Sequence, residues 1–308
     1  MEQTVPQPKR GTAGEHTASL DTPVQSLVRL NWETVTYAVF FVLAVITRFW
    51  QLGQRAMSHD ESLHALYSWN LYAGKGYEHN PMMHGPFRFH MDALAYFLFG
   101  VNDFVVRLPA ALFGIATVIL IPILLRPYLG RIGALVMSGL LLISPVVLYY
   151  QRYIRDEVFV GFFALLIIVA IFRWLDTGRN AWLYVIATSM VFMITAMESG
   201  FIQIALMGVF LVGALILQMT DRRAARAAGA KGQSAPRLPF LQRLREDPLT
   251  ALVVILGTLP IPFGAALIIR AAGRNPQDYA APNVYFSIAV VLALLAVAAA
   301  IGIWWDWR

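Results

Sequence analysis

Eight stretches of the chain, at roughly 35–52, 104–125, 132–150, 157–175, 181–197, 200–218, 249–270 and 284–305, are apolar. Each runs over the about 17 to 25 residues that a helix needs to cross a hydrocarbon core. No other feature constrains the fold as strongly. Inside a bilayer the backbone has no water to bond, so a crossing segment of this length must satisfy its own amides as a helix. The expected architecture is therefore an all-α polytopic membrane protein with about eight transmembrane helices. Charged residues make up 14% of the chain, against about 25% in an ordinary soluble domain. The run 181–218 is broken only by Glu198-Ser199-Gly200, where a charge beside a glycine favours a turn. Zero cysteines exclude disulfides, thiolate nucleophiles and Cys-ligated metal sites.

Residues 1–34 read as a disordered cytoplasmic tail, because residues 1–30 are rich in Thr, Gln, Pro and Gly and hold no apolar core of a signal peptide. With that end cytoplasmic, the inner connections carry 15 of the 24 Lys and Arg residues. The basic loop 221–248, with Arg222, Arg223, Arg226, Lys231, Arg237, Arg243 and Arg245 at or near it, supplies most of that bias, and positive-inside orientation places it in the cytoplasm. The net charge of +6 is thereby explained by topology, and a nucleic-acid partner is not expected, since the basic stretch lacks interleaved aromatics. Residues 249–308 supply the last two spans. Parity then puts Asp60-Glu61, Asp156-Glu157, Glu198 and Asp278 on the opposite, outer face.

The outer segment 53–103 is the longest outer connection and holds five of the six histidines. Ser58-His59-Asp60-Glu61 has the S-x-x-E spacing of a capping box, in which Ser58 caps a helix and Glu61 bonds back to the cap amide. A functional role for Glu61 is compatible with that one, because a cap also fixes its neighbour Asp60. A surface helix follows. Asn80 to Phe87, with Pro81 and Pro86, reads as a turn, and a second surface helix spans 90–100. The five histidines allow a divalent metal, although His59 and His64 are poorly spaced for one helix face, and solvated or hydrogen-bonded imidazoles explain them as well. Tyr149 to Glu157 packs Arg152, Arg155, Asp156 and Glu157 into six positions between two apolar runs. If the segment is helical, Arg152 and Asp156 are i,i+4 neighbours. Tyrosines and arginines anchor span ends routinely, but so many charges exceed what anchoring needs, and arginine suits bidentate phosphate recognition.

The acidic pair Asp60-Glu61, the turn His84-Gly85-Pro86-Phe87, the stretch Arg107-Leu108-Pro109-Ala110-Ala111-Leu112-Phe113-Gly114, then Ser144-Pro145 and Arg155-Asp156-Glu157 follow one another in an order that resembles the GT-C membrane glycosyltransferases. The likeness runs over about 35–220. It is to the protein O-mannosyltransferase and aminoarabinose-transferase superfamily, including a group within it associated with flippase activity in lipid-linked glycan pathways. The resemblance implies a GT-C-type core with a long first extracytoplasmic loop, in a multi-pass protein of the cell membrane. It implies transfer of a sugar from a polyprenyl-phosphate donor to a hydroxyl of a protein, lipid or glycan acceptor on the extracytoplasmic face, usually with inversion. By the same resemblance Asp60 is the general base, with Glu61 beside it. Arg152 and Arg155 are the phosphate candidates, Asp156 orients sugar or acceptor, and Glu157, Glu198 and His84 complete the substrate contacts. Met197 stands where related sequences often carry a lysine before the glutamate of Glu198. Relatives also have further spans and often an outer soluble domain, so a chain ending at Trp307-Arg308 is expected to be a fragment, a split gene product or a minimal form. Two other classes make opposing predictions: a transporter or flippase places ionisable groups in mid-span, and a membrane scaffold leaves Asp60, Asp156 and the arginines apart.

Overall fold

The computed structural model describes residues 31–77, 84–227, 248–258 and 260. Its elements in order are α1 (Trp32–Phe49), α2 (His59–Tyr72), α3 (Pro86–Phe99), α4 (Asp103–Ile143), α5 (Pro145–Tyr150), α6 (Glu157–Thr177), α7 (Ala181–Ala196), α8 (Ser199–Ala227) and α9 (Pro248–Thr258). All regular elements among the described residues are helices, as the apolar runs predict. Four of them, Trp32–Phe49, Asp103–Ile143, Glu157–Thr177 and Ser199–Thr220, are long and apolar enough to cross a membrane, and Ala181–Ala196 is a shorter apolar helix. The expected span at 249–270 is described only in its first half, and the one at 284–305, with Asp278, lies outside the described residues.

Helix α4 is two antiparallel spans. Gly130 leaves the helix at φ 70°, ψ 175°, a backbone state in which a side chain would be strained, and the Ser138 hydroxyl donates back across the hairpin to the Val118 carbonyl at 2.7 Å. The second of these spans was expected to continue to 150. It stops at Ile143 because Pro145 pushes Ser144 out of the helical basin; Ser144 is extended at φ −61°, ψ 119°, and caps α5, with Pro145 in its first turn. Arg48, fully buried near the end of α1, closes this break: its guanidinium donates to the Leu141 and Leu142 carbonyls and to Gln151 Oε1. Residues 151–156 are consecutive turns rather than helix, so the i,i+4 relation of Arg152 and Asp156 does not form.

The second surface helix begins at Pro86 and not near 90. A proline in the first turn gives up an amide that has no helical partner there, so the residue read as a turn former starts the helix instead. The run 181–218 does break, at Met197-Glu198, while Ser199 and Gly200 of the expected turn already open α8.

Aromatic and aliphatic side chains from α4, α6 and α7 interlock around Phe113, Phe159, Phe163 and Met190. Lipid-facing positions keep their apolar residues exposed: on α8, Ile202, Leu206, Val209 and Phe210 are all more than half accessible, which is expected where hydrocarbon replaces protein as the contact. Charged side chains in the described spans sit near the span ends. At one rim Glu33 pairs with Arg126 and Arg131. The opposite rim carries α2, α3, the 151–156 turns and the α7–α8 junction.

Candidate active site

The capping box forms at this rim. Ser58 Oγ accepts from the Glu61 amide, and Glu61 Oε2 accepts from the Ser58 amide at 3.2 Å. Glu61 is fully buried, and it also accepts from Arg107 Nε and Nη2 at 3.1 and 3.2 Å, from the Ile154 amide at 3.2 Å, and from Arg55 at 2.9 Å. Burial alone would raise its pKa; the hydrogen bonds from Arg107 and from the Ser58 and Ile154 amides outweigh burial and hold it below the usual carboxylate range. Glu61 thus ties α2, α4 and the 151–156 turns together, with its oxygens taken by protein donors. Arg107, likewise buried, donates in addition to the Leu52 carbonyl at 3.0 Å.

Asp60 is one residue along α2 and faces the other way. Its side chain is half exposed, and Oδ2 accepts from Arg155 Nη1 at 2.9 Å. The second terminal nitrogen of Arg155 meets Glu157 Oε1 at 3.0 Å. Three of the expected site residues, from two connections some 95 positions apart, therefore make one partly exposed acidic and basic cluster. Arg152 is set back from it, donating to the Trp50 carbonyl, within electrostatic reach of Arg55 and Arg107.

Asp156 lies deeper. It is 1% exposed, and neither of its oxygens has a hydrogen-bond partner. Burial pushes its pKa up to about 7, partly opposed by Arg88 and His84. Beneath it Arg88 and Asp92, an i,i+4 pair on α3, are both fully buried and joined at 3.1 Å through Arg88 Nε. Burial likewise pushes Asp92 up to about 6, against the pull of Arg88. His64, buried on α2, is driven down to about 3 by burial and by Arg88, so it is neutral at pH 7.

His84 and Glu198 close the site on the far side, Nδ1 to Oε2 at 2.9 Å. The local backbone explains their meeting. The Gly85 amide donates to the Ala196 carbonyl at 3.1 Å, and a Cβ on Gly85 would lie 1.8 Å from the Thr195 carbonyl oxygen. Only glycine lets the start of α3 sit against the end of α7. Every expected site residue thus lies at one rim. Asp60, Arg155 and Glu157 join directly, His84 joins Glu198, and Asp156 senses His84 through space. Glu61 and Arg152 stand behind them.

Among the described residues no three His, Asp or Glu side chains are placed to hold a metal ion. His84 bonds Glu198, and His90 bonds the Pro86 carbonyl. His79 lies outside the described residues. Sequence reasoning missed Arg88 and Asp92, and weighed His64 only as a poorly spaced metal ligand. The i,i+4 spacing of the first two was visible, but their burial was not.

Residues 83–228, from the His84 turn through α8, match the family described as dolichyl-phosphate-mannose-protein mannosyltransferase. The match is to a family of GT-C type and covers a little under half of the chain. The matched region holds Arg88, Asp92, Arg107, Asp156 and Glu198, while Asp60 and Glu61 precede it. The chain is also 26% identical over 98 residues to the protein named Putative mannosyltransferase YkcB of Bacillus subtilis (strain 168). That similarity covers 32% of this chain and 14% of the relative. No solved structure matches the chain significantly.

Proposed function

We propose that this GT-C protein transfers a sugar from a polyprenyl-phosphate donor to an acceptor hydroxyl, with Asp60 as general base, on the extracytoplasmic side of the cell membrane. The observation that carries the proposal is the Asp60–Arg155 contact at 2.9 Å, at the open edge of the rim. A carboxylate able to take a proton beside a guanidinium able to hold a phosphate supports reading this rim as the place where a lipid-borne sugar-phosphate is handled. In the step itself the acceptor oxygen bonds the anomeric carbon as its proton passes to Asp60. The bond from that carbon to the phosphate oxygen breaks, and the polyprenyl phosphate leaves with the electron pair, its charge met by Arg155. Glu157 and Asp60 hold Arg155 in place until phosphate competes for it. Glu61, with its oxygens occupied, acts as a positioning residue that fixes the first turn of α2. His84 and Glu198 border the acceptor side, and Arg152 adds positive potential behind Arg155. The basic connection 221–248 would lie in the cytoplasm by the positive-inside preference.

The test is transfer from radiolabelled polyprenyl-phosphate sugars by the purified protein in nanodiscs. Asp60→Asn should lower transfer by about 10² to 10⁴, the range for loss of a general base, with normal membrane insertion. Full activity in that variant removes the assignment. A reporter fused after position 75 that reads cytoplasmic would overturn the orientation.

A further inference from the structure

Buried polar atoms without partners are concentrated in one place. Eight of the thirteen such side-chain atoms among the described residues belong to six residues at the α2–α3–α6 rim: both oxygens of Asp156, both terminal nitrogens of Arg88, and one atom each of Asp92, His64, Arg155 and Glu157. An unsatisfied buried donor or acceptor costs about 1–3 kcal/mol, so native proteins keep few of them without a use.

The chemistry of the set selects what fits. Arg88 and Asp156 influence one another electrostatically yet stop short of an ion pair. Arg88 cannot turn to close the gap, because Asp92 holds its Nε at 3.1 Å and its guanidinium lies over the Phe159 ring, 5.5 Å from the centroid. A forked donor and a two-oxygen acceptor, both buried and within electrostatic reach of one another, are therefore each left without a hydrogen-bond partner. Phosphate offers only acceptors and would face three unpartnered carboxyl oxygens, both of Asp156 and one of Asp92; a metal cation would face the Arg88 fork. A hydroxyl donates and accepts at once, and neighbouring hydroxyls of a sugar ring do so as a pair.

We propose that Arg88 and Asp156, with Asp92 steadying Arg88, form a subsite that reads the hydroxyls of the donor's glycosyl group beneath the Asp60–Arg155 edge. The inference rests on the transfer reading above and assigns Arg88 and Asp92 roles in it. Arg88 and Asp156 contact the sugar; Asp92 is a positioning residue. The subsite separates the two halves of donor recognition: charge on the lipid phosphate at the edge, hydroxyl pattern of the sugar below.

The test compares equilibrium binding of bare polyprenyl phosphate with that of polyprenyl-phosphate mannose, glucose and galactose to the full chain in nanodiscs, followed by deoxy analogues of the tightest. Wild type should prefer the best sugar over the bare lipid by about tenfold or more, as expected for hydrogen bonds to charged groups. Arg88→Lys keeps the charge that Asp92 needs but loses the fork, and Asp156→Asn keeps shape. Both should bring the preference within about twofold while bare-lipid binding holds. Removing the matching ring hydroxyl should weaken binding to wild type about tenfold and leave binding to Arg88→Lys unchanged, a readout independent of any loss of stability. If both variants retain full sugar preference, the orphaned atoms serve ordered water only and the subsite is wrong. Binding of every lipid without sugar preference removes the subsite but leaves lipid-phosphate recognition standing. No binding of any polyprenyl phosphate removes both readings.

Discussion

Removing Glu61 should unseat the rim more than any other single truncation there, and the structure gives the size. Arg107 is 1% exposed and loses both of its carboxylate bonds in Glu61→Ala, keeping only the Leu52 carbonyl. A buried charge stripped of its partner costs about 3–5 kcal/mol. The Ile154 and Ser58 amides lose an acceptor as well, so the upper part of that range is expected. Arg107→Ala should cost less, about 2–3 kcal/mol, because Glu61 still accepts from two amides and Arg55. The double variant should then be little worse than Glu61→Ala alone, a coupling of about 2 kcal/mol or more. SDS-titrated unfolding in mixed micelles, followed by tryptophan fluorescence, measures all three. Additivity within about 0.5 kcal/mol would mean that the pair contributes nothing as a pair, and the account of Glu61 as the tie between α2, α4 and the 151–156 turns would be refuted. Glu61→Gln, which keeps an acceptor, should lose activity only in proportion to its loss of folded protein.

Two further predictions concern the deeper residues. Asp156 has a folded pKa raised to about 7 from 3.8; between those values the unfolded chain releases a proton that the folded one keeps, so stability falls as pH rises from about 4 to about 7 and then levels. Asp156→Asn should remove that loss, gaining about 2–3 kcal/mol relative to wild type between pH 5 and pH 8, with a weaker residual slope from Asp92; identical unfolding midpoints against pH in both proteins would contradict it. Gly85→Ala should cost about 2 kcal/mol or more, since the added carbon meets a backbone carbonyl at 1.8 Å and must break the Gly85–Ala196 hydrogen bond. An unfolding midpoint within about 0.5 kcal/mol of wild type would show that the α3–α7 junction yields.

Local chemistry was readable in advance. The Ser58-x-x-Glu61 spacing formed its capping box, the longest apolar run broke beside Glu198, and the apolar stretches among the described residues became mainly helix, because hydropathy and capping act within one turn or one span. The proline effects were half legible: Pro145 ended a span that hydropathy alone would have continued, and Pro86 opened a helix, since the same ring forbids one neighbour and favours another. What no window of sequence contained was which of two adjacent acids, Asp60 and Glu61, would be open and which saturated. That depended on Arg107, 46 residues away, and on Arg155, 95 residues away. Arg88 and Asp92 read as an ordinary helical ion pair until tertiary packing buried both and left Asp156 unpaired above them. Burial and partnership are properties of the assembled helices, and they decide whether a charge is solvated, structural or available to a ligand.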